Sequence, residues 1–128
     1  MAMKIRIHIE ELIVEAELNE SKTAQSIWKA LPIQAVTNVW GEEIYFAIPV
    51  KDQLEKEARE VVSVGELGYW PPGQAFCIFF GPTPASRGAE IRAASPVNVI
   101  GKVLSDPKAF RKVKDGMKVT LEKTELLK

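Results

Sequence analysis

Hydrophobic and polar residues alternate strictly in one stretch near the start of the chain, and in most positions of the next stretch and of one near its end. Alternation with a period of two places the apolar side chains on one face of an extended backbone, which is the pattern of a half-buried strand. A turn at Glu10-Glu11 separates the first two stretches, so they predict a hairpin. The three predicted strands are Met3 to Ile9, Leu12 to Leu18 and Met117 to Thr124.

The middle of the chain predicts further short strands and two short helices. Asn19 or Ser21 can cap a helix that runs from about Lys22 to Ala30. Asp106 stands directly before a proline, and this pair predicts the start of a second helix that extends to Val113. The remaining predicted elements are strands at Ala35 to Trp40, Glu43 to Ile48, Val61 to Val64 and Val97 to Leu104, and a helical turn within Asp52 to Arg59.

One apolar run, Ala75 to Phe80 (AFCIFF), shows no polar alternation. A run of this length between two glycines predicts a strand that is buried on both faces. Tyr69 and Trp70 stand beside Pro71-Pro72, and we expect them to leave regular structure because the residue before a proline is conformationally restricted. The stretch from Gly81 to Ala94 is rich in glycine, proline and small residues, which predicts a long loop.

These elements together, seven or eight short strands with one or two short helices, predict a mainly β protein that is either a closed barrel or a sandwich. The strands do not alternate regularly with helices, so a doubly wound parallel sheet is disfavoured. The 128 residues suit one domain, residues 1–128. We expect the interior of the barrel to include Ile5, Ile7, Val14, Phe76, Ile78, Val99 and Val119.

Charge and composition exclude several classes of function. Lys plus Arg and Asp plus Glu each number 17, and this balance argues against a nucleic-acid partner and against a membrane surface. The chain has no long apolar segment and no apolar signal core at its start, so we expect a cytoplasmic protein. The abundance of Glu, Lys, Ile and Val beside few Asn and Gln is typical of thermophiles.

The counts of cysteine and histidine limit the chemistry further. The chain has one cysteine, Cys77, and one histidine, His8. An internal disulfide therefore needs a partner that the chain lacks, and a zinc site would normally need more ligands of these two types. We expect no metal and no cofactor. Cys77 lies inside an apolar run, where its thiolate would be disfavoured, so it is a weak candidate for a nucleophile.

Residues 65–101 hold six of the eight glycines and five of the eight prolines, together with half of the aromatic residues. Prolines fix the backbone before any ligand arrives, and aromatic rings on rigid loops often line a concave site. The sequence thus predicts a binding pocket for a small molecule or a peptide. Its predicted residues are Tyr69, Trp70, Phe79, Phe80, Thr83, Ser86 and Arg92.

Three motifs in this region resemble the small prokaryotic cyclophilin-like family of single-domain proteins. They are G-x-x-x-Y-W-P-P-G from residue 65, F-F-G-P-T-P-x-S from residue 79 and N-V-I-G-K-V from residue 98. The resemblance implies a closed β-barrel of about eight strands with one or two short helices, a helix at one or both ends, like that of peptidyl-prolyl isomerases. The F-H-R-I type motif that supplies the arginine of cyclophilins has no match in this chain.

Three functions stay open at this point. The first is a binding module that uses the pocket without chemistry. The second is a divergent prolyl isomerase with Arg87 or Arg92 in place of the usual arginine. The third is an accessory subunit of an amide-cleaving or carboxyltransferase-type system, since cyclophilin-like domains also resemble parts of such enzymes. The oligomeric state stays open too, with a homo-oligomer among the alternatives.

Overall fold

The computed structural model describes residues 3–124 of the chain. Its strands form where apolar residues alternate or run together, because a pleated backbone can then bury one face or both. The elements in chain order are β1 Met3–Ile9, β2 Leu12–Leu18, α1 Lys22–Ala30, β3 Ile33–Val36, β4 Asn38–Trp40, β5 Glu43–Ala47, β6 Arg59–Val62, β7 Glu66–Trp70, a 3-10 helix Pro71–Gly73, β8 Ala75–Phe79, β9 Ile91–Val103, a 3-10 helix Pro107–Lys112 and β10 Lys118–Lys123.

The strands form one antiparallel sheet in the order β3-β10-β1-β2-β9-β7-β8-β5-β4, with β6 paired to β9 beside this path. The mainly β class is therefore confirmed. In residues 3–124 hydrogen bonds do not close the sheet, so the closed barrel is not confirmed. The two ends of the path, β3 and β4, are instead joined along the chain by Thr37. Its amide donates to the Met117 carbonyl at 2.9 Å and its hydroxyl to the Lys114 carbonyl at 2.6 Å.

Several element boundaries differ from the predictions. The prediction that Tyr69 and Trp70 leave regular structure was wrong, because both residues belong to β7 and pair with Phe76 and Ala75 of β8. The two prolines follow the last pairing residue, so their missing amides interrupt no ladder bond. The predicted strand over 35–40 is divided at Thr37 into β3 and β4.

Two predicted helical segments also differ. The segment Asp52 to Arg59 forms no helix. The segment after Asp106 forms a 3-10 helix in which the Asp106 side chain accepts from the Lys108 amide at 3.0 Å. Strand β9 begins at Ile91, inside the predicted loop. Within β9, Gly101 lies against the backbone of β2, because a Cβ there would lie 2.1 Å from the Glu17 carbonyl oxygen.

The concave side of the sheet encloses the main core, a cluster of buried side chains from most of the strands, from α1 and from the 3-10 helix at Pro107–Lys112. Phe46 and Phe76 stack in it with ring centroids 5.2 Å apart. Six of the seven predicted interior residues belong to this core. The seventh, Val99, was predicted wrongly, because it is partly exposed and packs against a second cluster.

That second cluster, the outer cluster, lies on the other face of β8 and consists of Val62, Ala75, Cys77, Phe79, Ile91, Ala93 and Val97. All five residues of β8 are buried, which confirms the prediction of a strand covered on both sides. The cover on this side is β6 and the first part of β9. A Cβ on Gly68 of β7 would meet Val97 at 3.0 Å, so this glycine lets β9 approach closely. Among residues 3–124, no helix is both long and apolar enough to cross a membrane.

Candidate functional site

A cavity of about 290 Å³ opens beside the outer cluster, and we call it the outer cavity. Its lining combines three aromatic side chains, one carboxyl group and three small or apolar residues. They are Trp40, Glu43, Tyr45, Trp70, Ala93, Ala94 and Val97. Ala94 is exposed at the mouth and the aromatic residues are half-buried, whereas Glu43, Ala93 and Val97 are buried. The cavity thus has an apolar floor that carries one acid.

The pairing of β5 with its neighbours places the acid. Glu43 pairs with Trp40 across the β4–β5 turn and with Phe79 of β8. Successive side chains of a strand point to opposite faces, so Glu43 and Tyr45 share the outer face while Ile44 and Phe46 enter the main core. Glu43 is only 6% exposed, and its Oε1 atom has no hydrogen-bond partner in the described part of the chain.

Burial of Glu43 changes its acidity. The removal of the carboxyl from water disfavours its charged form and raises its pKa from 4.5 to about 7, although an interaction with the Cys77 thiol lowers it in part. A carboxyl with such a pKa exists in both protonation states near neutral pH. Perturbed groups of this kind gather at functional sites, and this one lies in a cavity.

Cys77 is the other titratable group of the outer cluster. Burial raises the pKa of its thiol well above the ordinary value, and the nearby Glu43 carboxyl raises it further. The thiol also lies 3.8 Å from the Ala75 carbonyl oxygen. Such a thiol stays protonated and is a poor nucleophile. Within residues 3–124, no three His, Cys, Asp or Glu side chains gather in an arrangement that could hold a metal ion.

Two contacts fix Trp70 at the wall of the cavity. Its indole Nε1 donates to the Ser95 hydroxyl at 2.7 Å, which ties the end of β7 to β9. Its ring lies against Gly73, where a Cβ would stand 2.9 Å from Trp70 Cε3. The turn Pro71–Gly73 therefore supports the ring from the other side. The proline-rich segment after β7 therefore supports the Trp70 ring and does not itself line the outer cavity.

The second proline segment, residues 81–86, supports the opposite wall. The Glu42 amide donates to the Pro82 carbonyl and the Phe80 amide to the Glu42 carbonyl, both at 2.9 Å. Gly41 has a φ of +62°, and a Cβ there would lie 2.7 Å from Pro84 Cδ. Only glycine fits this contact without displacement. The β4–β5 turn that carries Trp40 and Glu43 is thereby held against a rigid loop.

The structure does not bring the seven predicted site residues into one pocket. Trp70 lines the outer cavity. Tyr69 and Phe80 point into the main core, where the Tyr69 hydroxyl donates to the Val50 carbonyl at 2.7 Å and Phe80 packs near Phe110. Phe79 belongs to the outer cluster and contributes to the packing beneath the cavity.

Thr83, Ser86 and Arg92 do lie together, but they bond to one another. The Ser86 hydroxyl accepts from the amides of Thr83 at 2.9 Å and of Arg92 at 3.1 Å, and the Thr83 hydroxyl donates to the Arg92 carbonyl. The Arg92 guanidinium pairs with Glu90 at 2.6 Å and Glu60 at 2.9 Å. Hydrogen bonding to Arg92 lowers the pKa of Glu90. This group stabilises the loop that leads into β9.

Sequence reasoning missed Trp40, Glu43 and Tyr45. One signal could have found them. Strand β8 is buried on both faces, so other elements must cover each face. The neighbouring strand β5 sends Ile44 and Phe46 into the main core, so the residues that alternate with them must face the second covered region. The pattern of β5 (EIYFA) places a carboxyl and a phenol there. A carboxyl on a covered face is uncommon enough to mark a site.

Comparisons with known proteins agree with this fold. The model of the Cyclophilin-like family matches residues 3–122. The solution structure of a hypothetical protein from Archaeoglobus fulgidus is similar to the chain, with a TM-score of 0.82 and 41% sequence identity over 96% of this chain and 95% of that chain. None of the curated proteins matches the chain. The family match covers nearly the whole sequence and confirms the resemblance seen in its motifs, so the chain belongs to the cyclophilin-like family.

Proposed function

We propose that this protein binds a small molecule, or one side chain of a peptide, in the outer cavity. The observation that carries the proposal is a buried carboxyl, Glu43, that faces a cavity walled by Trp40, Tyr45 and Trp70. Small-molecule sites are typically apolar and aromatic, with a few polar groups that fix the orientation of the ligand. The volume of about 290 Å³ lies at the lower edge of such sites and suits a ligand of fragment size.

The rigidity of the walls supports binding. Trp70 is held by Ser95 and Gly73, and the turn at Gly41 is held by Pro84. A site that is ordered before the ligand arrives loses less conformational entropy on binding. The prolines of the two flanking segments serve this purpose, since they fix the backbone that supports the rings.

The isomerase alternative has less support from the same residues. The Arg92 guanidinium is paired with two carboxylates, and the Arg87 amide is bound by the Glu90 side chain in an exposed loop. Neither arginine is among the residues that line the outer cavity. We expect no acceleration of prolyl isomerisation in a peptide assay with the purified protein. Acceleration that is lost in Arg92→Ala would favour the isomerase over the binding module.

A fragment titration followed by two-dimensional NMR tests the binding proposal. We expect small apolar and aromatic fragments to shift the indole signal of Trp70 in the wild-type protein. Trp70→Ala should weaken binding at least tenfold while the spectrum stays that of a folded protein. The matched control is Trp28→Ala, because Trp28 is also half-buried but lies on α1, under the Lys123 ammonium.

Two results would contradict the proposal. One is the absence of any fragment that shifts signals of the outer cavity. The other is equal weakening in the two tryptophan variants, which would mean that the loss comes from general destabilisation. If Trp70→Ala does not fold, Trp70→Phe keeps a ring in place and supplies the comparison.

A further inference from the structure

The Oε1 atom of Glu43 is a buried acceptor without a donor in residues 3–124. An unsatisfied buried acceptor destabilises the protein, and more so when it is charged. The Cys77 thiol beside it is only a weak donor and also approaches the Ala75 carbonyl oxygen. A ligand that brings a strong N–H donor to Oε1 would remove this cost, so the carboxyl favours such ligands.

The charges around the cavity favour a cation over an anion. Among residues 3–124, no Lys, Arg or His lines the cavity, and the nearby Arg92 is already paired with Glu60 and Glu90. An anionic ligand would therefore meet the Glu43 carboxyl with no positive side chain to balance it. A cation would meet an opposite charge in a partly buried site, where electrostatic attraction is stronger than in water.

The aromatic walls add a second preference for a cation. The faces of Trp and Tyr rings attract ammonium groups, most strongly when the cation is desolvated. Trp40, Tyr45 and Trp70 border the same small volume as the carboxyl. Three rings and one acid around a space of fragment size form an arrangement that suits an organic cation.

We infer that the ligand of the outer cavity is an organic ammonium ion that has at least one N–H bond, which it donates to Glu43, while its apolar body contacts the three rings. This inference rests on the proposed function, because it names the ligand class of the same cavity. A free amine and the side chain of a lysine in a peptide share this chemistry.

The inference includes a dependence on pH. Glu43 must be ionised to pair with the cation, and its pKa of about 7 in the free protein means that binding at lower pH displaces a proton. The other titratable groups that face it are the Cys77 thiol on β8 and the Tyr45 phenol on β5. The five other lining residues, on β4, β7 and β9, carry no titratable group. Affinity should fall about tenfold from pH 8 to pH 6, following the ionised fraction of one carboxyl.

A matched pair of probes tests the ligand class. The 3-methylbutylammonium ion and 3-methylbutan-1-ol share a carbon skeleton and differ in the charged group. The amine stays protonated throughout because simple alkylamines resemble lysine, with a pKa near 10.4. We expect the ammonium ion to bind wild-type protein at least tenfold more tightly than the alcohol at pH 8 in an NMR titration. Glu43→Gln should bind both probes equally, with no dependence on pH.

Two controls separate the possible failures. The variant His8→Gln should keep the pH dependence, because His8 pairs with Glu122 on β10 and is not among the residues that line the cavity. Equal binding of the two probes to the wild-type protein would overturn the inference but leave the proposed function standing. If neither probe shifts the signals of the cavity, the inference is also overturned, and the fragment titration decides separately whether the cavity binds any ligand.

Discussion

The two faces of β8 differ in what they bury. Phe76 and Ile78 enter the main core, whose one phenol, Tyr69, donates to the Val50 carbonyl and accepts from the Asp52 amide. Cys77 on the opposite face belongs to the outer cluster, which borders a cavity and a carboxyl oxygen that has no hydrogen-bond partner among residues 3–124. One strand of five residues thus separates a core whose phenol is hydrogen-bonded from a cluster beside an unpaired carboxyl oxygen. We therefore expect the first face to contribute mainly to stability and the second to the proposed binding.

Truncation of equivalent phenylalanines on the two faces provides the largest test. Phe76 and Phe79 are both fully buried on the same strand. Phe76→Ala should cost about 5 kcal/mol, because its partner Phe46 and the surrounding strands cannot collapse into the space. Phe79→Ala should lower the free energy of unfolding by about 3 kcal/mol. The outer cavity already lies beside this ring, and β6 can move into part of the vacated space. Denaturant unfolding measures both values, and equal losses would contradict the distinction between the faces.

Glu43→Gln tests the unsatisfied carboxyl through pH. The pKa of Glu43 is raised from 4.5 to about 7 in the folded protein, so the folded state holds this proton more tightly than the unfolded state. The free energy of unfolding therefore falls as pH rises from 4.5 to about 7 and is constant above that. We expect Glu43→Gln to stabilise the protein by about 1–3 kcal/mol near pH 8 and hardly at all near pH 4. Unfolding curves at both pH values check this, and a gain of the same size at both would exclude an ionisation effect.

Gly41→Ala tests the loop that holds one wall of the outer cavity. The added Cβ would meet Pro84 Cδ at 2.7 Å, so we expect a loss of about 2 kcal/mol and weaker ligand binding. The control is Gly88→Ala. Gly88 has nearly the same φ, +64° against +62°, but a Cβ there meets no atom within 4 Å. A thermal unfolding series should show the smaller loss for Gly88→Ala, and equal losses would mean that backbone strain alone is responsible.

The smallest expected effects concern side-chain hydrogen bonds, one at Trp70 on the outer face and two at Tyr69 in the main core. Ser95→Ala removes the acceptor of the half-buried Trp70 indole and should cost about 1 kcal/mol. Tyr69→Phe removes the hydrogen bonds of the buried Val50 carbonyl and of the half-buried Asp52 amide, and should cost about twice as much. Unfolding curves give the two losses, and NMR exchange of the Trp70 indole proton should quicken in Ser95→Ala. A larger loss in Ser95→Ala than in Tyr69→Phe would reverse the ranking of the two faces.

The sequence predicted the strands well wherever local pattern decides structure. The alternation in β1 and β2 gave their bounds, and the apolar run of β8 gave its burial on both faces. The site was predicted less well. Tyr69 and Trp70 are neighbours in sequence, yet the strand sends one ring into the main core and the other to the cavity. Glu43 and Trp70 are brought together only by the pairing of β5, β8 and β7, which no local pattern reveals.

The place of β10 in the sheet has a consequence for how the protein assembles. The last described strand lies between β1 and β3, so these two early strands gain their shared neighbour only after β4 to β9 have also been synthesised. Until then, both would present unpaired edges that can recruit other chains. Such pairing between distant segments slows folding because a long loop must close first. We therefore expect the nascent chain to depend on a chaperone more than a helical domain of equal length would.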